Sequence, residues 1–346
     1  MKAFVLVLSF AVSGCWSGDY LAKQGVGQLK LLRARRKIAD VIADPTTPAE
    51  LRRRLKLAEA ARQFGIDELG LRGGDGFTRF VDSHGAPIAW NLTAAPKDKL
   101  EAHLNRFPIV GVIPYLGFFE EADATREADR LRAEGLDVFI RPVAGYSTLG
   151  ITSDPIYSSM LDGGDARIVE VTLHEMTHAT VYLPGHSEWN ESMATLVGIE
   201  GASAFFQAHG DAASAAKMEA ESRERERDQE VFASFLEPVV NELEALYASP
   251  RLTKAQKIAR REPIFARAQA RFLELFPIPP GHKPGPFTAQ PLNNAVLISF
   301  LVYHQSTPEH RRQLARLHGN LHALIALYKH AVDDVQEPLQ YLAQLK

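Results

Sequence analysis

The sequence predicts an α+β protein in which helices dominate and a small sheet occupies part of the first half. Three features indicate this class. Residues 20–64 and the chain after about residue 165 repeat apolar side chains at helical spacing. Between them, residues 77–150 are rich in β-branched and aromatic side chains bounded by Gly and Pro. With 46% hydrophobic and 23% charged residues, the composition allows an ordinary buried core.

The first residues of the chain are expected to lie outside the fold. Lys2 precedes an apolar run at residues 3–12, which has the length of a signal-peptide core and is too short for an ordinary transmembrane helix. Small residues then lead to Cys15, the one cysteine of the sequence, in a pattern that resembles the bacterial lipobox. We therefore predict a lipoprotein signal peptide at residues 1–14 and a lipid anchor on Cys15 that holds the protein at a membrane of the bacterial cell envelope. A plain secretory signal with an incidental cysteine is the alternative.

Residues 15–346 are predicted to form a single domain. Its first part, residues 20–150, contains helices and the small sheet, and its second part, residues 154–346, is helical. Within the first helical stretch, Pro45 and Pro48 indicate a turn and a new helix start.

The sheet region is predicted to contain one helix among its strands. Strands are expected at residues 81–93, 107–119 and 138–146. The helix covers residues 121–134 and ends at Gly135. We therefore expect one small sheet, with one crossing helix, ahead of the helical part.

Most of the remaining chain is predicted to be helical. Beyond the segment that begins near Asp165, helices are expected at residues 212–247, 254–276, 293–304 and 307–333. Five prolines between residues 277 and 286 require a loop there.

The run from His174 to His178 has the pattern His-Glu-x-x-His. Residues i and i+4 lie on one face of a helix, so His174 and His178 can bind one ion together, and Glu175 lies about 100° further round, near enough to reach a water on that ion. Asp165 is expected to cap this helix, which is apolar on more than one side and should be buried. A metal would satisfy the polar groups of such a helix.

Glu191 is predicted to be the third ligand. The turn at Pro184 and Gly185 and a helix capped by Ser187 would run the chain back past the two histidines, and the small Ala194 would let the helices approach. Two histidines, one glutamate and an open position form the coordination of a catalytic zinc.

His186 is the rival third ligand. The histidine-rich variant of the motif requires Gly and His where this chain has Val181 and Pro184, which disfavours it.

The overall charge gives little indication of a macromolecular partner. The formal net charge is −3, so the composition does not indicate a nucleic-acid or anionic-membrane partner, and we expect no nucleic acid to bind.

The His-Glu-x-x-His run followed by Asn-Glu-x-x-Ala resembles the glutamate-type zincin metallopeptidases. Further runs resemble a family of predicted bacterial lipoprotein aminopeptidases. These are residues 20–25, 90–91, 94–96, 107–111, 115, 117–119, 145–150, 154–155 and 292–295. The resemblance implies a zincin-like fold, a peptidase that acts on peptides, and a Zn²⁺ cofactor. It also implies that His174, His178 and Glu191 are the ligands and that Glu175 is the catalytic acid and base.

A peptidase also needs a donor for the oxyanion besides the metal. Tyr146 is the preferred candidate because its strand leads toward the helix of His174 and because strands at the edge of such clefts bind extended peptide. His186 and the more remote Tyr303 are the alternatives.

Two other functions fit the same residues. The chain could be a non-catalytic envelope lipoprotein whose metal is a structural staple or part of a partner-binding surface. It could also be an endopeptidase, since an aminopeptidase requires a carboxylate for the free amine of the substrate, and the sequence does not single one out.

Overall fold

The computed structural model describes residues 15–107, 111–143, 153–278, 284–285, 287–301 and 307–345. Most of these residues are helical, and the predicted helix-dominated α+β class is confirmed. The helices are α1 (Cys15–Ala34), α2 (Ile38–Ala43), α3 (Ala49–Asp67), α4 (Glu121–Ala133), α5 (Asp165–Thr180), α6 (Ser187–Ala208), α7 (Ala212–Ala248), α8 (Lys254–Leu275), α9 (Asn294–Leu301), α10 (Thr307–Arg316), α11 (Leu321–Asp334) and α12 (Pro338–Gln344). The strands are β1 (Arg36–Lys37), β2 (Arg79–Val81), β3 (Ala89–Pro96), β4 (Asn105–Phe107), β5 (Gly111–Ile113), β6 (Tyr115–Phe118), β7 (Leu136–Val143) and β8 (Ile156–Tyr157).

The strands form three small sheets in the described chain rather than the single predicted sheet. The largest has the order β6-β3-β7 and is antiparallel throughout, with Leu92 opposite Leu116 on one side and Ile140 on the other. Strand β2 lies between β1, which is antiparallel to it, and β8, which is parallel. Strands β4 and β5 form a separate antiparallel pair.

The predicted strand at residues 81–93 is interrupted because a turn intervenes between β2 and β3. His84 and Gly85 have φ values of 51° and 78°, and such left-handed residues cannot continue an extended strand. The predicted strand at residues 107–119 is likewise divided among β4, β5 and β6. The predicted helix between the strands is confirmed as α4, and Gly135 follows it with φ of 84°.

The C-terminal part contains two helices more than predicted. The expected helix at residues 307–333 is broken into α10 and α11, where His318 and Gly319 have φ values of 54° and 78°. Helix α12 follows and was not predicted.

The main hydrophobic core surrounds α5. Side chains of α3, α6, α10 and α11 pack against this helix or its neighbours, and Ile168, Val169 and Leu173 of α5 itself are fully buried. A second core joins α7, α8 and α9 to one face of the largest sheet. A third lies between that sheet and α4. Helix α5 is therefore held on several sides, as its apolar pattern indicates.

A buried ion pair joins the second core to the sheet. Arg261 of α8 donates two hydrogen bonds to Asp137 of β7, at 2.6 and 2.9 Å, and both side chains are almost completely buried. The backbone N–H of Asn294 also donates to Asp137. These bonds compensate for the removal of the two charges from water.

The described helices fall short of a membrane span. None of them has both the length and the apolar character that a membrane crossing requires.

Close approach of α5 and α6 depends on Gly198 of α6. A Cβ at this position would lie 2.8 Å from the carbonyl oxygen of Glu170 and 3.2 Å from Cβ of His174. The first of these atoms belongs to the backbone, so a side chain cannot be accommodated by a rotamer change. The absence of one methyl group thus allows the two helices to approach.

We predict that Gly198→Ala lowers the free energy of unfolding by about 1–3 kcal/mol, because the added methyl group forces the two helices apart. Urea denaturation in the presence of a chelator measures this without a contribution from metal binding. Gly25→Ala is the control: a Cβ there meets nothing within 4 Å, and alanine in a helix is favoured by about 0.5–1 kcal/mol. Equal effects of the two substitutions would contradict the packing argument.

Candidate metal centre

Helix α5 begins one residue earlier than its capping pattern predicts. Gly164 is the N-cap, with φ of 89°, and Asp165 is the first helical residue, so the prediction of Asp165 as the cap was wrong. A glycine is favoured because the chain turns through the left-handed region there. Asp165 instead accepts two hydrogen bonds from Arg53 of α3, at 2.7 and 2.8 Å. The carboxylate still lies at the positive end of the helix dipole.

The connection from α5 to α6 is a short turn that Asn190 fixes. Gly185 has φ of 81°, and the amide of Asn190 accepts from the backbone N–H of Leu183 and donates to the carbonyl of the same residue, both at 2.8 Å. Asn190 is buried, so these bonds hold the first turn of α6 against the end of α5. The N-cap of α6 is His186, and the predicted cap Ser187 is the first helical residue.

This turn brings Glu191 to the two histidines of α5. The Nε2 atoms of His174 and His178 lie 3.2 Å apart, and each lies 3.6 Å from a carboxylate oxygen of Glu191. One ligand atom from each of the three residues falls within 4.8 Å of the others. The structure therefore brings together the three residues that the sequence singled out as ligands.

The distances fit a small tetrahedral cation. Ligand atoms at 2.0–2.1 Å from a tetrahedral ion are about 3.3 Å from one another, and the observed separations of 3.2, 3.6 and 3.6 Å lie close to this value. Nδ1 of His178 is buried and has no hydrogen-bond partner among the described residues. Its Nε2 is thus the nitrogen that faces the other two ligands. The site can hold a divalent metal ion.

The three side chains alter one another's protonation. Burial by itself would raise the pKa of Glu191, but contact with His174 and His178 outweighs it and lowers that pKa far below its usual range. Burial would lower the pKa of His178, but Glu191 and then Glu175 raise it. Glu191 is therefore an ionised carboxylate beside two imidazoles. A cation bound there competes with protons for the histidine nitrogens.

Glu175 follows His174 on α5 and is not one of the three clustered residues. Its side chain is half-buried, and it forms no ion pair or hydrogen bond within the ranges that the structure describes. Its negative charge is close enough to raise the pKa of His178. The carboxylate thus lies beside the cluster without being committed to another partner in the described chain.

Of the three candidate oxyanion donors, only His186 lies among the described residues. Tyr146 and Tyr303 both lie outside the described residues. His186 is exposed at the start of α6 and does not belong to the three-residue cluster.

Tyr182 is a further residue near the site that the sequence analysis missed. It lies on the connection between α5 and α6 and is half-buried. Burial raises the pKa of its phenol, and the nearby charge of Glu191 raises it further. Tyr182 therefore stays a protonated hydrogen-bond donor at neutral pH. The only sequence signal that could have indicated Tyr182 is its position between the His-Glu-x-x-His run and the Asn-Glu-x-x-Ala run.

His310 supports the other side of the first turn of α6. Its Nε2 lies 3.1 Å from the carbonyl of Trp189 and 3.1 Å from Oγ of Ser192, and its Nδ1 lies 2.9 Å from the hydroxyl of Tyr328. The imidazole is fully buried, and burial lowers its pKa to about 4. A neutral imidazole can donate to the carbonyl and accept from the tyrosine. Its partners flank Glu191 in sequence, but no local pattern links residue 310 to them.

Comparison with known proteins identifies the family. Residues 19–338 match the family model described as "Putative aminopeptidase". The chain belongs to this family. No curated protein and no solved structure matches the chain.

The aminopeptidase family assignment covers the whole candidate metal centre. The matched region contains α5, α6 and α10, and thus both the clustered residues and their supporting contacts. The family name indicates a peptidase, which confirms the coarser expectation drawn from the sequence. A group of residues that could hold a metal ion lies within this region, which is consistent with that activity.

We predict that the buried His310 makes the protein less stable in mild acid. Its pKa is about 4 in the folded protein and about 6.5 in the unfolded chain, so only the unfolded state gains the proton between these values. The stability is fully present above about pH 6.5 and falls as the pH decreases toward 4, by about 2 kcal/mol between pH 7.5 and pH 5.

Urea denaturation of the native chain and of His310→Gln at the two pH values, with a chelator present, measures this contribution. The variant should lose this part of the pH dependence and keep the part due to other groups. An identical pH dependence in both proteins would show that His310 does not contribute it.

Proposed function

We propose that the protein is a zinc-dependent peptidase of the glutamate zincin type. The observation that carries the proposal is the convergence of His174, His178 and Glu191 at separations close to those of a tetrahedral ion. Membership of the aminopeptidase family supports peptide-bond hydrolysis as the reaction. Two imidazole nitrogens and one carboxylate form the ligand set of catalytic zinc, in which a fourth position stays open.

Each ligand has a distinct electrostatic role. The lowered pKa of Glu191 keeps it ionised, so it contributes a full negative charge. The two imidazoles bind through Nε2, and the partial exposure of His174 and Glu191, at 21% and 32% of their side chains, leaves one side of the site accessible to a substrate. His178 is almost completely buried and anchors the inner side.

Zinc, when bound, supplies a Lewis acid that polarises a carbonyl and lowers the pKa of water toward neutrality. Glu175 then acts as the general base and afterwards as the general acid. Its carboxylate takes a proton from the attacking water and delivers it to the nitrogen of the leaving amine as the peptide bond breaks. A group in this role needs to be near the ligands without being one, and Glu175 meets that requirement. Tyr146 remains our proposed donor to the oxyanion.

We also propose that the protein acts at the bacterial cell envelope. Cys15, preceded by a predicted signal peptide at residues 1–14, would carry the lipid. Helix α1 begins at this residue, so an anchor there would hold the body of the protein next to a membrane.

We predict that Glu175→Gln lowers peptidase activity by about 10²- to 10⁴-fold, because the amide cannot accept the proton of the attacking water. Zinc content should be unchanged, since Glu175 is not a ligand. Hydrolysis of a mixed peptide library and metal analysis of the same samples measure the two effects. Asp165→Asn is the control: it removes a carboxylate from the same helix at its exposed beginning, and activity should persist.

The result distinguishes a zinc enzyme from a non-catalytic protein whose metal only stabilises the fold. Full activity in Glu175→Gln would contradict the assigned role. Bound zinc with no hydrolysis of any peptide by the native chain would instead favour a structural metal.

We further predict that a peptide with a free α-amine is hydrolysed faster than the same peptide after N-acetylation. The family name indicates this preference, because an aminopeptidase binds the charged amine of its substrate. Mass spectrometry of the products, with the two peptides in one reaction, compares the rates directly. Equal rates would make the protein an endopeptidase while leaving the zinc chemistry intact.

A further inference from the structure

Helix α1 exposes an apolar surface on the side that faces away from the protein. Four large apolar side chains lie there, Leu21, Val26, Leu29 and Leu32, with exposures between 40% and 54%. At 100° per residue they fall within an arc of about 140°. Among the described residues, nine large hydrophobic side chains are exposed, and these four belong to one helix. We call these four residues the α1 apolar face.

The opposite side of α1 is fixed to the body of the protein. Tyr20 and Gln24 donate to the carbonyl of Gly117 in β6, at 2.9 and 2.8 Å. Gly27 is buried against the ring of Phe119, which a Cβ at residue 27 would overlap. On the same side, Lys23 and Lys30 form ion pairs with Asp123 and Glu120 at 2.9 and 3.0 Å. The orientation of the helix is thus set, and the apolar face cannot turn inward.

The segment that contains α1 has a net charge opposite in sign to that of the whole chain. Residues 15–37 contain six Lys and Arg and one Asp, a formal charge of +5, whereas the whole chain has −3. Lys23, Lys30 and Arg36 are paired with carboxylates. Arg33 is exposed within the arc of the apolar face, and Lys37 is exposed just beyond the helix. Their long side chains can extend to an anionic surface while the leucines beside them are buried.

We propose that the α1 apolar face lies on the surface of an anionic lipid bilayer. An interfacial helix presents one apolar side, carries Lys and Arg, and rests in the plane of the head groups instead of crossing the membrane. The predicted lipid on Cys15 would lie at the first residue of this helix, so it would hold the helix close to a bilayer. The proposal does not depend on the peptidase reaction.

A second copy of the chain is a poorer occupant of the face. From Leu21 to Leu32 the helix rises about 17 Å and is about 10 Å wide. That surface covers at most a few hundred Å², whereas a stable interface buries about 800 Å² on each partner. A bilayer needs no minimum area, because binding increases with each apolar side chain that leaves water.

Fluorescence of a labelled full-length chain tests the proposal. Cys15→Ser removes the natural thiol, and a single cysteine is then placed by Leu29→Cys or, as a control, by Leu273→Cys, which is 41% exposed on α8. Each is labelled with a fluorophore whose emission depends on polarity. Vesicles of phosphatidylcholine and phosphatidylglycerol at a ratio of about 3:1 are added, with and without a quencher on the lipid. We expect a shift to shorter wavelength and quenching for the label at residue 29 only.

A second pair of variants tests whether the face itself supplies the binding. In the chain labelled at residue 29, Leu32→Ser should lower the vesicle partition coefficient by about tenfold. Leu273→Ser, which alters an equally exposed leucine, should not. Circular dichroism checks that both variants are folded.

Four results would overturn the proposal. The first is unchanged emission from the label at residue 29 when vesicles are added, and the second is an equal change in emission at residues 29 and 273. The third is an equal vesicle partition coefficient for the two serine variants. The fourth is emission at shorter wavelength from the label at residue 29 before vesicles are added. If that early shift depends on protein concentration, a second copy covers the face. If it does not, the chain's own N-terminal segment covers it. Peptidase activity is measured on the same samples, so failure of this proposal and failure of the proposed activity are independent.

Discussion

The candidate metal centre depends on the packing distance between α5 and α6. Its three ligand atoms come from two helices only, so their separations follow directly from how closely those helices approach. Gly198 permits that approach because its hydrogen faces the backbone of Glu170, where any Cβ would lie 2.8 Å from a carbonyl oxygen. Ala194, on the same helix between Glu191 and Gly198, is fully buried and equally small. Small residues at helical spacing therefore position the carboxylate 3.6 Å from each imidazole.

The site concentrates polar groups in a region that packing alone would make apolar. His174 and His178 extend from a helix whose neighbouring residues belong to the main core. Their cost of burial is reduced by Glu191, whose charge stabilises them. On the far side of α6 the neutral His310 uses both ring nitrogens for hydrogen bonds. Ionised groups thus face the ligand position, and an uncharged group supports the helix from behind.

Local sequence patterns predicted what depends on neighbouring residues and missed what depends on distant ones. The histidine pair, the short turn and Glu191 could be placed together because helical spacing and a tight turn fix their geometry within about 20 residues. The helix caps were misplaced by one residue because Gly164 and His186 adopt backbone conformations that side-chain capping preferences do not report. The split sheet and the break between α10 and α11 arise from left-handed residues such as His84 and His318. His310 contacts Ser192 across 118 positions, a separation that no local pattern encodes.

Net charge is a weak guide to a membrane partner because it averages over surfaces that do not meet the same partner. The value of −3 gave no indication of an anionic membrane, yet residues 15–37 carry +5, so the remainder of the chain carries −8. Charges interact with a lipid surface only within about one Debye length, some 8 Å at physiological ionic strength. A helix that lies on the head groups would be within that distance. Under the proposal, an anionic bilayer would attract the basic helix and repel the net negative charge of the remaining chain, so the segregated charge would orient the protein.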